Sequence, residues 1–185
     1  MRHFLKLFDG IDVLPALVQL QEWPELWDAY TPRTESEASP HHGVSDIWLR
    51  YRPRDELTEP GKFIEPHFPA WWPAWSKLPA LRPIVFGLMS RCEATALGGV
   101  FITRIPPGGE VKPHDDAYSW HAQHYATKAY VVLAGNGRVI NSCLDEEVVM
   151  QPGTAWTFNN LVTHGVRNEG DSDRITLIVA MRREG

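Results

Sequence analysis

The sequence has 185 residues, of which 43% are hydrophobic and 22% charged, so it can bury one sizeable core, and nothing in its composition indicates two. The net charge of −5 and the scattering of the 18 basic residues exclude the basic patch typical of nucleic-acid binding. No stretch has the apolar length of a signal peptide or a membrane span, and two cysteines are too few for a disulfide framework. We therefore expect a single-domain cytoplasmic protein (residues 1–185) that acts on a small molecule or a protein side chain, without nucleic acid or membrane as a partner.

The first half of the chain, residues 1–95, is predicted to be a helical and irregular lead-in with one strand. Apolar residues at helical spacing favour two short helical pieces in residues 13–30, divided by a proline. The polar residues 31–43 are predicted to form a loop that shapes substrate access. Alternating polarity over residues 46–51 indicates the strand, and one apolar face over residues 81–93 indicates a helix.

Residues 96–185 change in character to short strands separated by turns. The turns are marked by the sequences Pro-Pro-Gly-Gly, Gly-Asn-Gly and Pro-Gly. Eight strands at this spacing predict a mainly β protein, a jelly-roll sandwich or barrel, with helices from the N-terminal half packed outside it. The predicted strands cover residues 97–105, 111–116, 129–133, 138–143, 147–150, 154–158, 165–168 and 175–181.

A histidine and an aspartate after a glycine-rich turn organise this second half of the chain. His114 and Asp116 are two residues apart, and alternate residues of an extended strand point to one face, so both side chains could bind the same cation. His164 is the best candidate for a third ligand because it begins a short strand-like segment that follows a Pro-Gly turn. Two histidines and one carboxylate form the facial triad of non-haem Fe(II) oxygenases. We therefore predict an iron site at these three residues.

Arg174 follows His164 by ten residues. If residues 165–168 and 174–181 pair as a hairpin, the two side chains have the same parity and face the same interior. A guanidinium near the metal could then hold a dicarboxylate through two hydrogen bonds. The alternative is an arginine at the surface that pairs with a nearby aspartate.

Residues 97–182 resemble the Fe(II)- and 2-oxoglutarate-dependent oxygenases of the aspartyl/asparaginyl beta-hydroxylase type. The resemblance rests on the Pro107-Gly108-Gly109 turn, on Pro113-His114, on the segment from His164 to Asn168, and on Arg174. It implies a double-stranded β-helix of cupin-like architecture. It also implies that His114, Asp116 and His164 bind Fe(II), and that Arg174 pairs with the distal carboxylate of 2-oxoglutarate. The implied activity is that of a dioxygenase that hydroxylates an amino-acid-like, peptide or small-molecule substrate with O2.

The sequence departs from the family pattern at two places near this site. Some members have no acidic ligand at the position of Asp116, so the chain is more similar here to the general oxygenase triad. Where the family often has an arginine and a histidine on the next core strand, this chain has Lys128 and Tyr130, which become candidate cosubstrate contacts. Three aromatic residues are predicted to form walls of the substrate pocket: Tyr118, Trp120 and Trp156.

Two other functions fit a jelly roll with these residues. The first is a cupin-like metalloenzyme that uses no 2-oxoglutarate, for which His164 and Asn168 fit the second cupin motif, whereas the first motif expects a histidine in place of Asp116. The second is a non-catalytic module that binds a sugar or an effector, in which the triad is coincidental. The remaining histidines of the two polar loops, at positions 41, 42, 121 and 124, are predicted to lie near the substrate or in solvent.

Overall fold

The computed structural model describes residues 3–184, and its strands are joined by short helices and turns. The strands within that range are β1 (Phe4–Phe8), β2 (Ser45–Tyr51), β3 (Ala70–Trp71), β4 (Ala96–Ile105), β5 (Glu110–His114), β6 (Thr127–Ala134), β7 (Val139–Cys143), β8 (Glu146–Val149), β9 (Ala155–Phe158), β10 (His164–Asn168) and β11 (Arg174–Arg182). The α-helices are α1 (Leu14–Glu22), α2 (Ala74–Lys77), α3 (Leu81–Arg91) and α4 (Trp120–His124). Short 3-10 helices cover Pro24–Leu26, Arg54–Glu56 and Pro60–Phe63.

The strands form two antiparallel sheets. The larger sheet has seven strands in the order β1-β9-β6-β11-β4-β2-β3, and the smaller has four in the order β5-β10-β7-β8. Apolar side chains from both sheets share one buried cluster, which includes Phe101 and Tyr130 of the larger sheet and Cys143 of the smaller. The two sheets therefore face each other as the layers of a jelly roll.

Side-chain alternation along β11 separates the interior of the jelly roll from the helices outside it. Leu177 and Val179 join a cluster with apolar residues of α1 and α3 on the outer face of the larger sheet. Thr176 and Ile178 point the other way, into the space between the sheets. Arg174 has the same parity as Thr176, so its side chain enters that interior.

The predicted mainly β jelly roll with helices packed outside is confirmed. The predicted strand at residues 46–51 is β2, and the eight predicted strands of the second half are β4 to β11, with bounds that differ by at most two residues. The predicted helices of the first half correspond to α1, with the 3-10 turn at Pro24–Leu26, and to α3. No helix within residues 3–184 has both the length and the apolar character needed to cross a membrane.

The predicted hairpin between the last two strands is wrong. β10 pairs with β5 and β7 in the smaller sheet, whereas β11 pairs with β4 and β6 in the larger one. His164 and Arg174 are therefore in different layers, although both are buried, with 4% and 1% of their surfaces exposed. Their common interior location arises from the packing of two sheets and not from pairing of their own strands.

Candidate metal centre

Two histidines meet where β5 and β10 pair. His114 ends β5, His164 begins β10, and the register sets them opposite each other with ring centroids 4.4 Å apart. Gly165 permits this close approach, because a Cβ atom there would lie 3.0 Å from the carbonyl oxygen of Val111. A larger residue after His164 would force the two strands apart.

Asp116 lies beyond the end of β5 and is held by hydrogen bonds. Its backbone N–H donates to the carbonyl oxygen of Asn160 over 3.0 Å. Its Oδ2 atom accepts from Lys128 Nζ at 2.7 Å and from Asn160 Nδ2 at 2.8 Å. The other oxygen, Oδ1, lies 3.9 Å from His114 Nε2. The strand predicted to reach residue 116 thus ends at residue 114, and these contacts, not strand alternation, orient the carboxylate.

The candidate ligand atoms of His114, Asp116 and His164 all lie within 4.8 Å of one another. In the part of the chain that the structure describes, no other three histidine, cysteine or acidic side chains form such a group. The fold therefore brings together the three residues selected from the sequence. Their role as metal ligands stays a prediction.

The hydrogen bonds of both histidines leave the same ring nitrogen available. His114 Nδ1 lies 2.8 Å from the carbonyl oxygen of Lys112, and His164 Nδ1 lies 2.9 Å from that of Val162. A carbonyl only accepts, so Nδ1 carries the hydrogen and Nε2 keeps its lone pair. His164 Nε2 is buried and has no hydrogen-bond partner among the described residues. A buried nitrogen lone pair without a donor, beside a carboxylate, fits a metal cation, and fixing a ligand histidine through Nδ1 is usual in metal sites.

Electrostatics keep these three side chains in the protonation states that a metal needs. Burial lowers the pKa of His114, and burial with the Lys128 ammonium lowers the pKa of His164 to about 4. Burial alone would raise the pKa of Asp116, but the Lys128 ammonium and the Asn160 amide hold it well below its usual range. At neutral pH the group therefore offers two neutral imidazoles and one carboxylate.

Arg174 is a buried cation without an acidic partner in the described chain. Its guanidinium donates from Nε to Thr176 Oγ1 at 2.7 Å and from an Nη atom to the carbonyl oxygen of Met150 at 3.3 Å. Burial lowers its pKa to about 10. The predicted alternative, a surface arginine paired with an aspartate, is wrong, because the side chain is 1% exposed and its two partners are uncharged.

A cavity between the sheets borders one candidate ligand, His164, and a hydrogen-bond partner of Arg174. Its lining includes His164, Tyr130 and Thr176, whose hydroxyl accepts from Arg174. One candidate ligand and a hydrogen-bond partner of the buried guanidinium therefore border the same cavity. An elongated anion that binds a cation at one end and a guanidinium at the other would fit these groups.

The two residues predicted to contact the cosubstrate have different surroundings. Tyr130 lines the cavity that leads towards Arg174. Lys128 instead donates to Asp116 and is 19% exposed at its side chain, so its ammonium already has an anionic partner. Contacts of Lys128 and Tyr130 with a cosubstrate stay predictions.

A second cavity opens beside Asp116, with both aromatic and polar side chains in its walls. The aromatic ones are Trp48, Tyr51, Phe63, Phe101 and Tyr125. The three aromatic residues predicted as walls do not line it: Tyr118 is 69% exposed, Trp120 stacks on His124, and Trp156 lies on β9 with its indole N–H on Thr154. Their contact with substrate stays a prediction.

Arg33 is a residue near the site that the sequence does not single out. One of its Nη atoms donates to Asp46 Oδ1 and to Thr103 Oγ1, each at 2.9 Å, and its guanidinium lies 5.2 Å from the centre of the Phe101 ring. These contacts hold the polar segment 31–43 against the larger sheet beside the cavity. No local sequence pattern signals them, because Asp46 and Thr103 lie on strands that only the fold places next to this segment.

His121 lines this second cavity, and its burial should make the free energy of unfolding depend on pH. Its Nε2 accepts from the Gly99 N–H at 2.7 Å. Burial, assisted by nearby His67, lowers its pKa from 6.5 to about 3, so below pH 6.5 the unfolded chain takes up a proton that the folded chain does not. Stability is thus fully present above pH 6.5 and is lost as the pH falls towards 3.

His121→Gln keeps an acceptor for Gly99 and cannot be protonated. Between about pH 7.5 and pH 5, its free energy of unfolding should fall by about 2 kcal/mol less than that of the wild type. Urea denaturation of the metal-free proteins at both pH values measures the difference. Equal losses would show that His121 is protonated in the folded state.

The fold and the three converging candidate ligands define a jelly-roll protein with a candidate metal centre. The sequence model of the aspartyl/asparaginyl beta-hydroxylase family matches residues 72–184, and the chain belongs to that family. None of the curated proteins matches the chain.

Solved structures of distant proteins have the same fold. An oxidoreductase of the 2OG-Fe(II) oxygenase family from Burkholderia pseudomallei has a TM-score of 0.64 at 12% identity, over 98% of this chain and 86% of that one. A prolyl-4-hydroxylase from Pseudomonas putida has a TM-score of 0.56 at 16% identity, over 100% and 95% of the two chains. The collagen prolyl hydroxylase of Paramecium Bursaria Chlorella virus-1, solved with 2OG, has a TM-score of 0.56 at 12% identity, over 99% and 97%. At these identities the similarity establishes the fold alone.

Proposed function

We propose that the protein is an Fe(II)- and 2-oxoglutarate-dependent dioxygenase that hydroxylates its substrate. His114, Asp116 and His164 would hold the iron, and Arg174 would bind the distal carboxylate of 2-oxoglutarate. When bound, iron and 2-oxoglutarate supply the oxidation of a C–H bond by O2, with release of succinate and carbon dioxide. Membership in the hydroxylase family supports this proposal at the level of the reaction class.

The observation that carries the proposal is the buried guanidinium of Arg174, whose partner Thr176 lines the same cavity as His164. A buried cation without an anion costs several kcal/mol or more, and it is retained where a ligand supplies the missing charge. A dicarboxylate bound between His164 and Arg174 would supply that charge. A metalloenzyme without this cosubstrate, or a sugar-binding module, would have no use for such a group.

The residues around the triad would fix the carboxylate ligand. Lys128 and Asn160 both bind Oδ2 of Asp116, which leaves Oδ1 directed towards His114. The carboxylate would thus bind the metal through one oxygen, and it would already be oriented for this before the metal binds.

The aromatic cavity beside Asp116 is the proposed substrate site. Its two cations already have partners, since Arg33 pairs with Asp46 and Lys128 with Asp116. Aromatic walls and paired charges favour an apolar group of an amino-acid-like, peptide or small-molecule substrate and exclude water from the reacting carbon.

Cys92 and Cys143 are both unpaired, which suits the reducing cytoplasm that we propose as the location of the protein.

Anaerobic addition of 2-oxoglutarate to the Fe(II) protein is expected to produce a visible metal-to-ligand charge-transfer band, because the keto acid would bind the metal directly. Admission of O2 should then release succinate slowly without substrate, and faster with a substrate that fits. The protein loaded with Zn(II), which has no redox chemistry, is the matched control and should show neither signal. Absence of the band and of succinate from the iron-loaded protein would refute the proposal.

A further inference from the structure

His41 packs against a candidate metal ligand although it lies far from it in sequence. Its ring meets that of His114 edge to face, with centroids 5.0 Å apart. The backbone that leads into it is anchored, because the Lys112 N–H donates to the carbonyl oxygen of Pro40 at 2.8 Å and the His41 N–H donates to Ser39 Oγ at 3.1 Å. The position of this ring is therefore set by the smaller sheet and is not that of a free loop.

The Nδ1 atom of His41 is buried and has no hydrogen-bond partner among residues 3–184. A buried polar atom without a partner costs about 1 to 3 kcal/mol, so such an atom calls for an explanation. His41 lines the same cavity as His164 and Thr176. It does not belong to the group of three ligand atoms around the candidate metal position.

Two other polar groups of this cavity, the threonine hydroxyls, already have partners. The Thr103 hydroxyl donates to Asp46 at 2.7 Å and accepts from Arg33. The Thr176 hydroxyl accepts from Arg174. Among the residues that line this cavity, the buried side-chain atoms without a partner in the described chain are thus His41 Nδ1 and His164 Nε2, and His164 Nε2 is the atom that would bind the metal.

We infer that His41 donates a hydrogen bond from Nδ1 to a carboxylate oxygen of 2-oxoglutarate at the end of the cavity nearer the metal ligands. This inference rests on the proposed function and adds a second protein contact to the cosubstrate, opposite Arg174. A hydrogen bond to a carboxylate is about twice as strong as one between neutral groups, and here it would satisfy an atom that otherwise lacks a partner. His41 would thus bind 2-oxoglutarate and not the metal.

Three variants test the inference. His41→Phe keeps a ring against His114 but removes Nδ1, and His41→Asn places an amide N–H at about the position of that nitrogen. His42→Phe is the matched control, since its exposed side chain lies next in the same segment. The measurements are the dissociation constant of Fe(II) for each protein and, anaerobically, that of 2-oxoglutarate for the iron-loaded protein from its charge-transfer band.

His41→Phe should bind Fe(II) as tightly as the wild type but 2-oxoglutarate at least about tenfold more weakly. His41→Asn should recover most of that loss, and His42→Phe should match the wild type. Unchanged 2-oxoglutarate affinity in His41→Phe would overturn the inference while leaving the proposed function intact. Weakened Fe(II) binding in His41→Phe would overturn it too, because His41 would then act on the metal. Failure of the wild type to bind 2-oxoglutarate would reject the proposed function and this inference with it.

Discussion

Replacing His164 by alanine is expected to abolish stoichiometric Fe(II) binding while the chain stays folded. His164 contributes one of three candidate ligand atoms, and its buried Nε2 has no partner in the described chain that competes for it. Mutation of a residue that only holds a metal ligand in place typically weakens metal binding by about 10- to 100-fold. Loss of the ligand itself should therefore weaken Fe(II) binding by at least about 100-fold. Metal analysis after gel filtration measures the loading, and circular dichroism reports the fold.

The matched control for this experiment is His124→Ala. His124 is partly exposed, stacks on Trp120 and lies outside the group of three candidate ligands. Its removal should leave one iron per chain. Full iron loading of His164→Ala, or equal loss of iron from both variants, would contradict the assignment of His164 as a ligand.

The candidate ligands could be selected from the sequence because their signals are local. His114 follows a Pro-Gly-Gly turn, His164 precedes a glycine that the strand pairing requires, and both begin or end short strands. The inward direction of Arg174 was expected from a hairpin that does not form, and it is the alternation of β11 that produces it. Such features depend on a few neighbouring residues, and the local backbone determines them.

Features that depend on pairing between segments far apart in the sequence could not be predicted from local patterns. β1 was not predicted, since Phe4–Phe8 contains a lysine and is stabilised as a strand by pairing with β9 more than a hundred residues later. The assignment of β10 and β11 to different sheets likewise follows from the packing of whole layers. The partners of Asp116, namely Lys128 and Asn160, come from two other segments that only the fold brings together.

The position of the segment 31–43 could not be predicted from local patterns either. Its composition predicted a polar loop, and it does lack long regular elements. The contacts of Arg33 with Asp46 and of His41 with His114 nevertheless fix it beside the candidate site. A loop that is irregular in backbone can thus be well anchored when a buried carboxylate and a neighbouring ring hold it.

Replacing Arg174 by methionine is expected to separate 2-oxoglutarate binding from iron binding. Methionine matches the unbranched stem of arginine and removes the charge. The distal carboxylate would then be buried without a partner, which should weaken 2-oxoglutarate binding by about 2 to 5 kcal/mol. Iron binding should be unaffected, because Arg174 contacts Thr176 and Met150 and none of the three candidate ligands. The charge-transfer band measures the first effect and metal analysis the second.

The stability of the metal-free protein should change little in the same variant. Burial lowers the pKa of Arg174 to about 10, which shows that the fold disfavours its charge, so its removal relieves a cost of a few kcal/mol. The variant also leaves the Thr176 hydroxyl and the Met150 carbonyl without their donor, at about 1 to 3 kcal/mol. Since the two effects oppose each other, the free energy of unfolding should stay within about 1 kcal/mol of the wild-type value.

Lys128→Met is the matched control for the loss of a cation, and it should show the opposite pattern. Lys128 holds Asp116 Oδ2 at 2.7 Å, so its removal should loosen a candidate ligand and weaken iron binding first. Thermal melting with Mn(II), with and without 2-oxoglutarate, gives an independent reading, because a ligand that binds only the folded state raises the melting temperature. The wild type should gain stability from 2-oxoglutarate and Arg174→Met should not. If Arg174→Met retains the full gain and Lys128→Met loses it at saturating metal, the distal carboxylate is bound by Lys128, and the buried guanidinium needs another explanation.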